Sequence, residues 1–152
     1  MYPRTDAQPG FKYPAERLFK LSGILTEDRM RHPDRRDENN DECLYVIKRG
    51  LTTHTTIGRA TGLYTYAREY FPNKASQDST EWAILPCDDR LPAFSKGGDS
   101  GSIIASGTGE FGGLLTGGSS KTESSDITYA TPMFWLWSVI KVKFPNANLY
   151  FS

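Results

Sequence analysis

Between Cys43 and Pro132 the chain never sustains an apolar run for long before a glycine, a proline or a polar cluster stops it. Leu44-Tyr45-Val46-Ile47 is closed by Arg49-Gly50, Trp82-Ala83-Ile84-Leu85 by Pro86, and Ile103-Ile104-Ala105 by a turn at Gly107 and Gly109. Phe111 to Thr116 runs into Gly117-Gly118, and Ile127 to Thr131 into Pro132. Thr55 to Glu69 is a longer Thr/Ile/Tyr-rich stretch that Gly58 and Gly62 interrupt, as bulges or a bend would. Runs this short cannot form helices of about ten residues or more that bury a face; bounded by turn residues, they read as strands. Residues 72–80, 88–98 and 117–126 read as loops. Six strands with short connections predict a mainly β fold, an antiparallel barrel or sandwich.

The two ends of the chain differ from this middle. Residues 1–13, with Pro3, Pro9 and Gly10, read as an extended arm. Pro14 suits a first helical position, and Leu18, Leu21 and Leu25 recur at helical spacing with Gly23 weakening the segment. Thr26 before Glu27 and Asp28 reads as a second helix start, and Pro33 as its stop. Residues 28–42 alternate charges of both signs and predict a solvated loop, with a partner-docking loop as the other reading. After Pro132, the segment from Phe134 through Trp135, Trp137 and Val139 to Lys143 predicts an aromatic amphipathic helix. Its polar face lacks the Lys/Arg richness of a membrane-surface helix, so it is expected to dock on the protein's own flank. The chain therefore divides into 1–42 (arm, helical segment and charged loop) and 43–152 (β domain with a C-terminal helix).

Composition narrows the class. A chain of 152 residues is one domain's worth, large enough for a core. Lys plus Arg is 18 and Asp plus Glu is 18, so no net basic field exists to hold nucleic acid or an anionic membrane. The apolar run from Pro132 to Ile140 falls well short of the roughly 20 residues that span a bilayer. The start, MYPRTDAQPGFKYP, has no apolar region of a secretory signal, so the chain reads as cytoplasmic or as a piece of something longer. Cys43 and Cys87 could pair under oxidising conditions but make no disulfide framework. With only His32 and His54 beside them, no zinc spacing exists, and neither a metal nor a cofactor is expected.

The segment that carries chemistry is Gly97-Gly98-Asp99-Ser100-Gly101-Ser102, between a loop and an apolar strand. Glycines on both sides let the backbone aim consecutive N–H groups into one small space, while a serine in the turn points its hydroxyl outward. Each such donor lowers the barrier of an acyl transfer by about 3 kcal/mol where it meets the developing oxyanion.

The order of segments around this turn resembles the C-terminal barrel of the trypsin-like (chymotrypsin-fold) serine proteases. The likeness rests on Gly-Asp-Ser-Gly-Ser at 98–102 followed by Ile103-Ile104-Ala105, on Phe111-Gly112-Gly113-Leu114-Leu115-Thr116-Gly117-Gly118, and on Ile127 to Pro132 before a terminal helix. Lys48-Arg49-Gly50 through Thr56-Ile57-Gly58-Arg59 is similar to that barrel's opening hairpin. The whole looks like a group of trypsin-like proteins of fungi with a helical segment before the barrel. The resemblance implies a single six-stranded antiparallel β-barrel, half of a chymotrypsin-like fold. It places Ser100 at the nucleophile position, the N–H groups of Gly98 and Ser100 in the oxyanion hole, and Asp99 as the acid that holds the turn. Thr116, Gly117 and Gly118 would pair with an extended peptide or protein substrate, and Phe94 would lie near the base of the specificity pocket.

The family's histidine and aspartate come from an N-terminal barrel that this sequence does not contain. His32, beside Pro33, and His54, in Thr-Thr-His-Thr-Thr, both read as exposed loop or turn residues. Asp88 and Asp89 supply carboxylates, but a carboxylate without an imidazole does not activate a serine. The expectation is a serine-protease-like fragment or pseudoenzyme with little or no peptidase activity alone, needing a missing barrel or a second chain. The alternative is a protease-derived module that binds peptide or protein without cleaving it.

Overall fold

The computed structural model describes residues 19–37, 39–73, 75–87, 92–119 and 127–149. The arm expected over 1–13, the helix start at Pro14 with Leu18, Asp88 and Asp89, and most of the 117–126 loop lie outside these residues.

The described chain is mainly β, with two helices. In order, the elements are β1 (Gly23–Ile24), α1 (Glu27–Arg31), β2 (Arg35–Arg36), β3 (Glu42–Gly50), β4 (His54–Ala60), β5 (Tyr64–Tyr70), β6 (Ser76–Pro86), β7 (Ile103–Ser106), β8 (Glu110–Gly118), β9 (Thr128–Pro132) and α2 (Met133–Lys143). Antiparallel pairings run from β3 to β4, β6, β9, β8, β7 and back to β3, so the sheet closes into a ring. The far half of β6 extends beyond the ring and pairs with β5.

Alternation explains the strands. On β3, Leu44, Val46 and Lys48 face inward and are buried. Trp82 and Ile84 of β6, Ile104 of β7, Leu115 of β8 and Ala130 of β9 meet them in the core. Period-two burial of this kind fixes register, because a one-residue slip would turn every apolar group to water.

Several expectations need correction. Leu21 and Leu25 do not share a helix face. Ser22 and Leu25 donate their N–H groups to Gly109 O and Phe111 O, and β1 pairs in parallel with β8. The leucine spacing satisfies a helix, but Gly23 sits in its middle and an unpaired edge of β8 offers backbone partners instead. The second helix start is as expected: Thr26 caps α1, its hydroxyl accepting from Arg29 N, and the helix ends just before Pro33. Residues 76–80, expected in a loop, form the outer half of β6, because Tyr64 to Tyr70 supplies a complementary strand. Gly58 makes no bulge and pairs in unbroken register with Val46; the bulges fall at Ile104/Ala105 and Leu115/Gly117. The charged run is tied down rather than merely solvated, through Arg29 to Glu110 and Asp37 to Arg59. Helix α2 packs on β8 and β9. Only its start is sealed, with Met133 buried and Phe134 against the core, while Trp135, Val139 and Val142 remain exposed.

Candidate active site

The turn carrying Ser100 is held from below by one buried carboxylate. Asp99 accepts from Thr52 N (2.8 Å) and Thr53 N (3.2 Å) at Oδ1, and from the Thr53 hydroxyl (2.6 Å) and Lys96 N (3.1 Å) at Oδ2. Lys48 Nζ lies 3.2 Å from Oδ2, and neither side chain of this pair is exposed at all. The pairing explains why a lysine occupies the inward register of β3 after Leu44 and Val46. Burial pushes the Asp99 carboxyl up, but the Thr53 hydroxyl and the Lys96, Thr52 and Thr53 N–H groups outweigh it. They hold the group far below the usual carboxylate range.

This anchorage sets local conformation. Gly98 takes φ +97° and Gly101 φ +81°, the left-handed region that a side chain disfavours. Thr52 donates its hydroxyl to Gly97 O at 2.8 Å, clamping the turn to the β3–β4 connection. Gly50 must be a glycine for another reason: a Cβ there would lie 2.3 Å from Asp99 Oδ1. Asp99 N donates to Lys96 O and Ser102 N to Asp99 O, whereas the N–H groups of Gly98 and Ser100 have no acceptor among the described residues. Ser100 itself is exposed.

The turn is also tied to β8. Gly101 N donates to Leu115 O (2.7 Å), and Leu115 N to Ser102 O (3.0 Å). Thr116, Gly117 and Gly118 therefore continue directly from the serine turn. On one side β8 pairs with β9 through Gly117↔Tyr129 and Gly118↔Thr128. On the other side its pairing with β7 ends at Ile103↔Leu114. Among the described residues, that edge of Thr116–Gly118 is open. The turn that carries Gly98, Asp99 and Ser100 is thus tied through Gly101 and Ser102 to Leu115, next to Thr116–Gly118.

Other expectations fall elsewhere. Phe94 is fully buried in the core, with Lys48 Nζ 5.5 Å from its ring centroid. The Ser95 and Thr128 hydroxyls meet 2.6 Å apart in the interior. His32 and His54 are exposed, and neither imidazole hydrogen-bonds Ser100. Cys43 and Cys87 form no disulfide, and burial pushes the Cys43 thiol up, away from reactivity. Among the described residues no cluster of His, Cys, Asp and Glu could hold a metal ion. No helix there is long and apolar enough to cross a membrane.

No protein-family model matches the chain, and no curated protein matches it.

Lys48, Thr52, Thr53 and Glu81 were not singled out by sequence reasoning. For Lys48 a signal existed, since its register after Leu44 and Val46 sends it inward. For Glu81 the signal was the alternation that sends Trp82 and Ile84 to the core and so turns Glu81 to the other face. Glu81 belongs to a groove of about 540 Å³ that Thr116, Gly117, Gly118, Tyr129 and Thr131 also line.

Proposed function

We propose that this chain is a serine-protease-like domain carrying the nucleophile and oxyanion half of a trypsin-like site on a six-stranded antiparallel barrel. Alone it holds extended peptides with little or no turnover. The closed ring of antiparallel pairings and the position of the serine turn between β6 and β7 support the fold part of this reading. The single observation that carries the functional part is the clamped turn, where Ser100 is exposed and the N–H groups of Gly98 and Ser100 have no acceptor among the described residues. Preorganised donors of this kind favour charge that develops on a carbonyl oxygen. The open edge at Thr116–Gly118 supports strand addition by an extended chain, with main-chain hydrogen bonds supplying affinity.

The serine lacks an imidazole partner, and a hydroxyl without a base is a weak nucleophile. Losing triad members costs roughly 10⁴ to 10⁶ in rate, which leaves slow chemistry from oxyanion binding alone. A base from an additional barrel or a second chain would complete the site. The same geometry supports a second reading, a binding module that never cleaves; the lack of any imidazole hydrogen bond to Ser100 favours it.

The test combines amide NMR with fluorophosphonate labelling. An extended peptide should shift the amides of Thr116 to Gly118 together with those of Gly98 and Ser100, without hydrolysis. Slow labelling that vanishes in Ser100→Ala supports the half-site, and no labelling supports the pure binding module. Rapid peptide turnover, or shifts confined to another face, overturns the proposal.

A further inference from the structure

Glu81 is a buried acid whose hydrogen-bond partners among the described residues are hydroxyls alone. It is 7% exposed, yet it lines the groove beside Thr116–Gly118. Its Oε2 accepts from the Thr131 hydroxyl at 3.0 Å. The Thr116 hydroxyl lies 3.4 Å away, but it also lies 3.2 Å from Tyr129 O, and one hydroxyl proton serves only one acceptor at a time. No lysine or arginine forms an ion pair with Glu81 among the described residues. Arg68 lines the same groove, but its guanidinium is committed to Asp78 through Nε–Oδ1 at 2.5 Å and Nη2–Oδ2 at 2.8 Å. Acids are almost never buried this deeply unless they are paired, because removing a carboxylate from water is costly.

We infer that the groove is a cation-binding subsite in which Glu81 receives an ammonium or guanidinium group. The inference rests on the peptide-binding reading for the source of that group, a lysine or arginine side chain of a chain lying along Thr116–Gly118. The groove is large enough for such a side chain, and its lining includes Thr116, Gly117 and Gly118, the segment along which that chain would pair. Tyr129 adds an aromatic flank to the approach. Threonine hydroxyls orient the carboxyl group and bring no positive charge to it, so the place of a cation beside it is open among the described residues. Recognition here selects a basic side chain and rejects an acidic one, whose charge would meet that of Glu81.

Binding is measured by fluorescence anisotropy with three extended heptapeptides that differ only at the central position, which is lysine, norleucine or glutamate. Agmatine alone is titrated by amide NMR as a probe that needs no strand pairing. The expected result is about tenfold tighter binding of the lysine peptide than of the norleucine peptide. The glutamate peptide should be weaker still, and the lysine preference should vanish in Glu81→Gln. Agmatine should shift the amides of Thr116 and Thr131. If all three peptides bind equally to the unaltered protein, the subsite is overturned and the peptide-binding reading survives. If agmatine binds at Glu81 and no peptide does, the subsite stands and the peptide-binding reading falls. If neither binds, both fall. These comparisons in the unaltered protein decide the matter even where Glu81→Gln fails to fold.

Discussion

Asp99 and Lys48 form the pair on which the serine turn depends. With both side chains out of solvent, removing one partner strands the other, a loss of about 3–5 kcal/mol. Lys48→Met should therefore destabilise the protein severely, while Lys48→Met with Asp99→Asn, which removes the stranded charge and keeps an acceptor for the Thr52 and Thr53 N–H groups, should recover part of the loss; urea unfolding of the three proteins checks this. The pH dependence has a definite sign. Asp99 titrates lower in the folded chain than in the unfolded one, so its stabilisation is fully present above the unfolded value, near 4. As pH falls below that, the unfolded chain takes up a proton that the folded chain refuses, and stability drops until Asp99 itself is protonated. Glu110 acts in the same direction: burial pushes it up, but hydrogen bonds from Thr108, Arg29 and Ser106 bring it down. The expected outcome is a deficit of Asp99→Asn against the unaltered protein that is largest near neutrality and shrinks on titration towards pH 3. A deficit independent of pH would assign the loss to packing rather than to charge.

The hairpin of β3 and β4 works as a brace for a turn nearly fifty residues away in sequence, since Thr52 and Thr53 hold Gly97 and Asp99. Gly50→Ala places a methyl group 2.3 Å from Asp99 Oδ1 with no room to retreat. It should loosen the serine turn, read as faster hydrogen exchange at the Asp99 and Ser102 amides, while core amides of β6 keep their protection. Uniform loss of protection would mean that the hairpin supports the whole fold instead. This brace was only half legible in the sequence. The strands announced themselves as short apolar runs closed by turn residues, and the glycine-rich turn through its glycines and serine. Threonines at a hairpin tip look like any exposed turn, because nothing local says which distant carboxylate they face. The Leu18, Leu21 and Leu25 spacing misled for the opposite reason. Local periodicity fits a helix, but an available edge on β8 decides that Leu25 sits on an extended segment. Ser76 to Thr80 read as a loop because polar residues fill it, yet an outer strand with solvent on its face tolerates them.

The division of the chain at residue 42 describes composition better than it describes packing. Leu25 and Met30 lie fully buried in the same cluster as Val46, Trp82, Ile84 and Phe94, and the Tyr64 hydroxyl reaches Met30 Sδ at 3.5 Å. Arg29 joins Glu110 next to the parallel pairing of β1 with β8. The segment before β3 therefore completes the core and caps one edge of the ring. Emptying either site should cost about 2–5 kcal/mol, the range for a buried Leu or Met truncated to Ala. Leu25→Ala and Met30→Ala should each lower the unfolding midpoint without altering the fold. Deleting residues 1–30 removes both side chains and uncovers the edge of β8, an unpaired strand of the kind that recruits another copy. Size-exclusion chromatography with light scattering should then find dimers or aggregates in place of a monodisperse species. A truncated protein that stays monodisperse and equally stable would show that the ring buries enough apolar surface by itself, and that β1 and α1 only rest on its surface.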